Sequence, residues 1–217
     1  MLGQSITKNS LILGAFAAAT AAVIALTFQS TKTRIAAEER KAASAALIDM
    51  IPTSRHDNDM LTDTLTLSQK QSEALGFSTL VEINIARANH QPIAFVVPAI
   101  APDGYSGDIK LIVAINIDGT LAGTRVLAHK ETPGLGDKID LRKSQWIRSF
   151  DNLSLSNPAQ SQWTVKKDGG YFDQFTGATI TPRAVVKRVK RTLELYNQHK
   201  EQWLNAAKQS QTVGANP

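Results

Sequence analysis

The segment Asp173-Gln174-Phe175-Thr176-Gly177-Ala178-Thr179-Ile180-Thr181-Pro182 has the residue types to hold a small anionic ligand. Gly177 and Ala178 leave room for a bulky group, and Thr179 offers a hydroxyl there. Thr181 is a good helix N-cap. Pro182 suits the first helical turn, where its missing N–H would be unpaired anyway. Beyond it, Val185, Val186, Val189, Leu193 and Tyr196 fall on roughly one helical face, with Lys187, Arg188, Lys190 and Arg191 largely opposite. The free N–H groups at such a helix start are a ready site for a phosphate. The same residues also describe a plain capped helix behind a glycine turn.

A second unusual stretch covers residues 129–139, His-Lys-Glu-Thr-Pro-Gly-Leu-Gly-Asp-Lys-Ile. Pro133, Gly134 and Gly136 make a tight loop that can bring backbone amides close to a ligand. Leu135 is an apolar residue at its tip, suited to cover a flat ring. Glycine and proline content alone would equally describe an ordinary loop.

Asp173-x-x-Thr176-Gly177-Ala178-Thr179 resembles the attachment motif of the FMN-binding domain family, in which a flavin transferase joins FMN to the last Thr through a phosphoester. Thr179 matches that Thr. Glu131-Thr132-Pro133-Gly134-Leu135-Gly136 resembles a second segment of the same family, in the expected order. The resemblance implies covalent FMN on Thr179, with Thr176, Gly177, Ala178, Thr132, Gly134, Leu135 and Gly136 as cofactor-binding residues. It also implies that Asp173 is read by the transferase or orients the loop.

With a single N-terminal span and this length, most of the chain is similar to the G subunits of the Rnf (Rsx) ion-translocating electron-transport complexes. Related C subunits of the sodium-translocating quinone reductase share the domain but are usually longer. The resemblance implies an electron-transfer subunit on the outer side of a bacterial inner membrane. Its partners would be the other subunits of the complex, a flavin transferase for maturation, and membrane lipid. The complex would couple ferredoxin- and NAD-type electron flow to ion movement, or keep an iron–sulfur regulator reduced. The contrasting reading is a flavin-free, membrane-anchored structural or binding subunit.

Other chemistry finds little support. The chain has no Cys, which excludes disulfides, thiolate catalysis and Cys-ligated metal centres. The four His are His56, His90, His129 and His199, and only His129 sits in a motif. No nucleophile elbow, His-Glu-x-x-His, P-loop or dinucleotide fingerprint is present, so no catalytic residue is assigned. His56, Asp57 and Asp59 read as solvated loop residues and no metal site is assigned. The net charge of +5 is spread along the chain, with one knot at 187–191 that lacks the interleaved aromatics of a nucleic-acid surface.

The elements that must position these segments read as an α+β protein. Residues 11–28 are apolar except for Thr20 and Thr27, and as a helix nearly match a bilayer core of roughly 30 Å. Gln29-Ser30-Thr31-Lys32 is a poor cleavage site, which favours a retained anchor over a signal peptide. Lys8 and the amino terminus precede the span while Lys32 and Arg34 follow it, so positive-inside counting does not place the body outside and if anything leans the other way. The expected organisation is an anchor at 1–30, a juxtamembrane helix and connector at 31–68, an FMN-binding domain at 69–208 and a disordered tail at 209–217.

Within the domain, strands are expected at 78–87, 93–100, 109–117 and 121–128, the last two joined at Asp118-Gly119. They would form a mostly antiparallel sheet packed by helices. A short helical pattern covers 141–150, a strand is expected around 162–165, and a long helix runs to about Ala207.

Overall fold

The computed structural model describes residues 2–213, with side chains at 6–35, 41 and 44–210. The chain divides into two compact units, Met1–Ala43 and Ser44–Pro217. Most of the first unit belongs to helix α1 (Leu2–Met50). Within it Ile6–Ile35 is long and apolar enough to cross a membrane, and none of its apolar window is buried. Leu11, Leu13, Phe16, Val23, Leu26 and Phe28 all project outward. The two Thr of residues 11–28 do not need water. Thr20 Oγ1 donates to Phe16 O and Thr27 Oγ1 to Val23 O, both at 2.8 Å, as a helix in lipid requires.

The second unit is built on a five-stranded sheet of β1 (Thr64–Thr66), β2 (Glu82–Ala88), β3 (Gln91–Ala101), β4 (Ile109–Asn116) and β5 (Leu121–Ala128). Strand order follows chain order and every pairing is antiparallel. The short helix α2 (Gln69–Ala74) lies between β1 and β2, and the long helix α3 (Ile180–Val213) ends the described chain.

Strand β3 explains its own unbroken apolar run. Phe95, Val97 and Ala99 point into one core with Val185, Val189, Leu193, Tyr196 and Trp203 of α3. Ala94 and Val96 point the other way, into a second core with Leu47, Met50, Ile51 and Met60. Alternation therefore persists, but both faces are covered and both must be apolar. Each fully buried Leu, Val or Phe contributes roughly 1.5–3 kcal/mol, so α3 is held chiefly by this face. Pro98 is tolerated because β2 pairs with β3 only between Gln91 and Val96. Past that point the edge meets the end of α2, where Ile100 N donates to Leu75 O at 2.8 Å.

Three expectations change. The strand expected near 162–165 is absent. Gln160–Gln162 forms a 3-10 turn, and Val165 makes a single bridge to Phe172. Trp163 and Val165 are apolar because they are buried, Trp163 among aromatic rings, and not because they join a ladder. The helical pattern at 141–150 is a 3-10 helix over Gln145–Phe150. Helix α3 continues past Ala207 to Val213, with Ala207 itself fully buried. Residues 214–217 of the expected tail lie outside the described residues.

Candidate functional site

Three loops and a helix start converge on one cleft of about 580 Å³. It is lined by Tyr105 from the β3–β4 turn and by Glu131, Thr132, Leu135 and Gly136 from the segment after β5. Lys167 comes from a third turn, and Gly177, Ala178, Thr179, Ile180 and Thr181 complete the wall.

Each loop has a local cause. Leu135 N donates to Thr132 O at 3.1 Å, closing a turn with Pro133 second and Gly134 third. Gly134 has φ +78°, the left-handed conformation that a type II turn requires there. Ala178 N donates to Phe175 O at 3.1 Å in a second such turn, with Gly177 at φ +80°. Phe175 is buried against Trp146, ring centroids 5.1 Å apart, and Trp146 Nε1 donates to Asp173 O at 2.8 Å. The segment before Thr179 is thus anchored by an aromatic side chain on one side and a backbone hydrogen bond on the other.

Six of the expected cofactor residues meet here: Thr132, Leu135, Gly136, Gly177, Ala178 and Thr179. Gly134 and Thr176 do not line the cleft; they form the exposed tips of the two turns. Asp173 is also outside it, exposed and paired with Lys166 at 2.7 Å.

The expected N-cap moves by two residues. Helix α3 begins at Ile180, and Thr179 O accepts from Arg183 N at 3.4 Å. Thr179 therefore occupies the capping position, and Pro182 still falls among the first orphan N–H positions. Among the described residues no group bonds the Thr179 hydroxyl. Thr181 is instead buried completely, and its hydroxyl donates to Glu131 Oε2.

Glu131 is the buried carboxylate of the cleft. Its Oε1 accepts from Ser106 N at 3.0 Å. Two glycines make space for it. A Cβ at Gly104 would sit 2.9 Å from Oε1, and one at Gly136 2.9 Å from Oε2 and 2.8 Å from Thr181 Oγ1. Lys167 is exposed, and its ammonium makes no hydrogen bond or close ion pair among the described residues. Its turn is fastened to α3 by Asp168, whose carboxylate takes both arms of the Arg183 guanidinium at 2.6 and 2.5 Å. That bidentate pair holds the Asp168 carboxyl below its ordinary range.

The arrangement fits a flavin mononucleotide. The free Thr179 hydroxyl, the first N–H groups of α3 and the Lys167 ammonium suit a phosphate, while Leu135 and Tyr105 supply apolar cover. Tyr105, Glu131, Lys167, Ile180 and Thr181 are the lining residues that the sequence did not mark as cofactor-binding. Glu131 carried a signal, a lone carboxylate leading into a Pro-Gly turn. Tyr105 and Lys167 carried none, because only the fold brings their loops here. Among the described residues no cluster of His, Asp and Glu is suited to a metal ion.

The fold and cleft define an FMN-binding domain preceded by a helix of membrane-spanning character. Residues 104–194 match the FMN-binding domain family, and residues 1–49 match the RnfG N-terminal region. The chain is 50% identical to the G subunit of the ion-translocating oxidoreductase complex of Vibrio vulnificus over 202 residues, 93% of this chain and 94% of the relative. The like-named protein of Vibrio cholerae is 48% identical over 201 residues, covering 93% and 95%. That of Shewanella amazonensis is 44% identical over 202 residues, covering 93% of each. The chain belongs to the family of ion-translocating oxidoreductase complex G subunits.

Proposed function

We propose that the chain is the membrane-bound electron-carrying G subunit of an ion-translocating oxidoreductase complex, with FMN joined through a phosphoester to Thr179. The observation that carries this reading is the Thr179 hydroxyl. It is unpartnered among the described residues, borders the cleft, and sits at the capping position of α3. When bound, FMN supplies reversible electron uptake, and the protein supplies position and electrostatics. Thr179 fixes the phosphate end of the group. Lys167 and the first amides of α3 offset its charge. Leu135 and Tyr105 cover apolar surface and exclude water. Asp173, exposed on the approach to Thr179, is the residue for a flavin transferase to read.

The neighbours of this protein are the other subunits of the complex and membrane lipid around Ile6–Ile35. Electron flow of the ferredoxin and NAD type through such a complex is coupled to ion movement. We assign the body to the periplasmic side of a bacterial inner membrane; support comes from the family likeness, since Lys8 against Lys32 and Arg34 gives no charge preference for it.

Production with a flavin transferase, followed by a denaturing gel under ultraviolet light, tests the attachment. A fluorescent band lost on Thr179→Val is expected. Fragmentation of the tryptic peptide 168–183 must put the mass of FMN on Thr179 rather than Thr176 or Thr181. A dark band from the intact sequence with transferase present refutes the attachment. The absence of Cys also permits a clean topology test, because a single Cys replacing the exposed Ser156 is the only thiol to label. Labelling of intact cells by an impermeant reagent is the expected result.

A further inference from the structure

We propose that Glu131 is a positioning and potential-setting residue: its buried carboxylate joins three walls of the cleft and lowers the reduction potential of the flavin seated there. This rests on the reading of the cleft as the FMN site. Glu131 is 4% exposed and borders the cleft, so its charge acts where little water screens it.

Each carboxylate oxygen receives one donor from a different element. The Ser106 N–H comes from the β3–β4 turn, and the Thr181 hydroxyl from the first turn of α3. Glu131 itself belongs to the segment after β5. The lateral space is closed by Gly104 and Gly136, where any Cβ would press on a carboxylate oxygen. The side chain therefore has one seat, and its anionic charge is held there by geometry. Among the described residues no Lys or Arg pairs with it, so two dipolar donors temper the charge without cancelling it. A flavin held in the cleft would be reduced against that field, which would disfavour its reduced form.

Glu131→Gln separates charge from shape. The amide oxygen keeps the Ser106 bond, and the amide nitrogen donates to the Thr181 hydroxyl, which then accepts. The full-length, flavin-loaded protein in detergent is titrated anaerobically in wild-type and variant forms. The expected result is intact loading with the midpoint potential moved to a more positive value. An unchanged potential in a flavin-bearing Glu131→Gln protein overturns the inference alone. A wild-type chain that takes up no flavin overturns both the FMN reading and this inference. Should Glu131→Gln not fold, Thr181→Val serves instead. It keeps the carboxylate but removes one tempering donor, and the potential is expected to fall. No movement, or a rise, overturns the inference by that route.

Discussion

Thr181 and Glu131 are fifty residues apart in sequence, and the Thr181 hydroxyl donates to the Glu131 carboxylate inside the protein. The bond ties the start of α3 to the loop after β5, so it fixes the width of the cleft. Thr181→Val is nearly isosteric but leaves a buried carboxylate oxygen without its donor. Losses of this kind cost on the order of 1–3 kcal/mol. A lower melting temperature of the detergent-solubilised chain is the expected outcome. An unaltered one would mean that water replaces the hydroxyl there.

Thr179 shows the opposite behaviour, although it lies only two residues earlier. Its hydroxyl has no partner among the described residues, so removing it breaks no hydrogen bond. Thr179→Val is expected to leave stability within about 0.5 kcal/mol of wild type, as for a surface change outside special features. Covalent flavin should be lost entirely. Thr179→Ser restores the hydroxyl and should regain part of the loading. Thermal melts and in-gel fluorescence on the same samples separate folding from attachment.

The two glycines of the Pro133 loop are expected to differ in kind. Gly136→Ala places a Cβ between Thr181 Oγ1 and Glu131 Oε2, both fixed by the bond they share. Overpacking there costs about 1–3 kcal/mol and opens the cleft wall. Gly134→Ala meets nothing within 4 Å, and its penalty is the φ of +78° alone, about 1 kcal/mol. The check is flavin loading in parallel with denaturant midpoints. Gly136→Ala should lose both loading and stability, and Gly134→Ala only a little stability.

What was legible in the sequence follows from the range of each interaction. Helix α3 and strands β2 to β5 announce themselves by periodicity, because their cores impose it residue by residue. Strand β1 has three residues and α2 six, too few for a period to show, although Ser68 and Gln71 form a capping box that marks the start of α2. The β2–β3 hairpin turns on Asn89 and His90, both at positive φ, a geometry usually signalled by glycine. The motif residues around Thr179 and Leu135 were visible because each lies in a short local turn. The roles of Glu131 and Thr181 were not, since their bond depends on where β5 and α3 come to rest. Helical spacing made Thr181 resemble a cap; burial beside a carboxylate gave it another partner.

Asp151 gives a prediction about pH. Burial pushes its carboxyl above the ordinary range, and Asp49 adds to this, while Arg125 and Arg148 pull the other way without winning. Both arginines are already engaged by Asp49, at 2.6 and 3.4 Å, and Asp151 Oδ1 is buried with no hydrogen-bond partner among the described residues. The folded protein therefore holds the Asp151 proton more tightly than the unfolded chain does. By linkage, the folded state gains stability from this group as pH falls through the raised value, and its ionised form is a cost at neutral pH. Asp151→Asn removes the charge while keeping the shape. The variant should melt higher than wild type at neutral pH. That advantage should shrink as pH drops through the folded-state value and vanish below the unfolded one, where wild-type Asp151 is also neutral. Melting curves of both proteins across that range decide the matter: a variant that melts lower at neutral pH would show the two arginines outweighing burial.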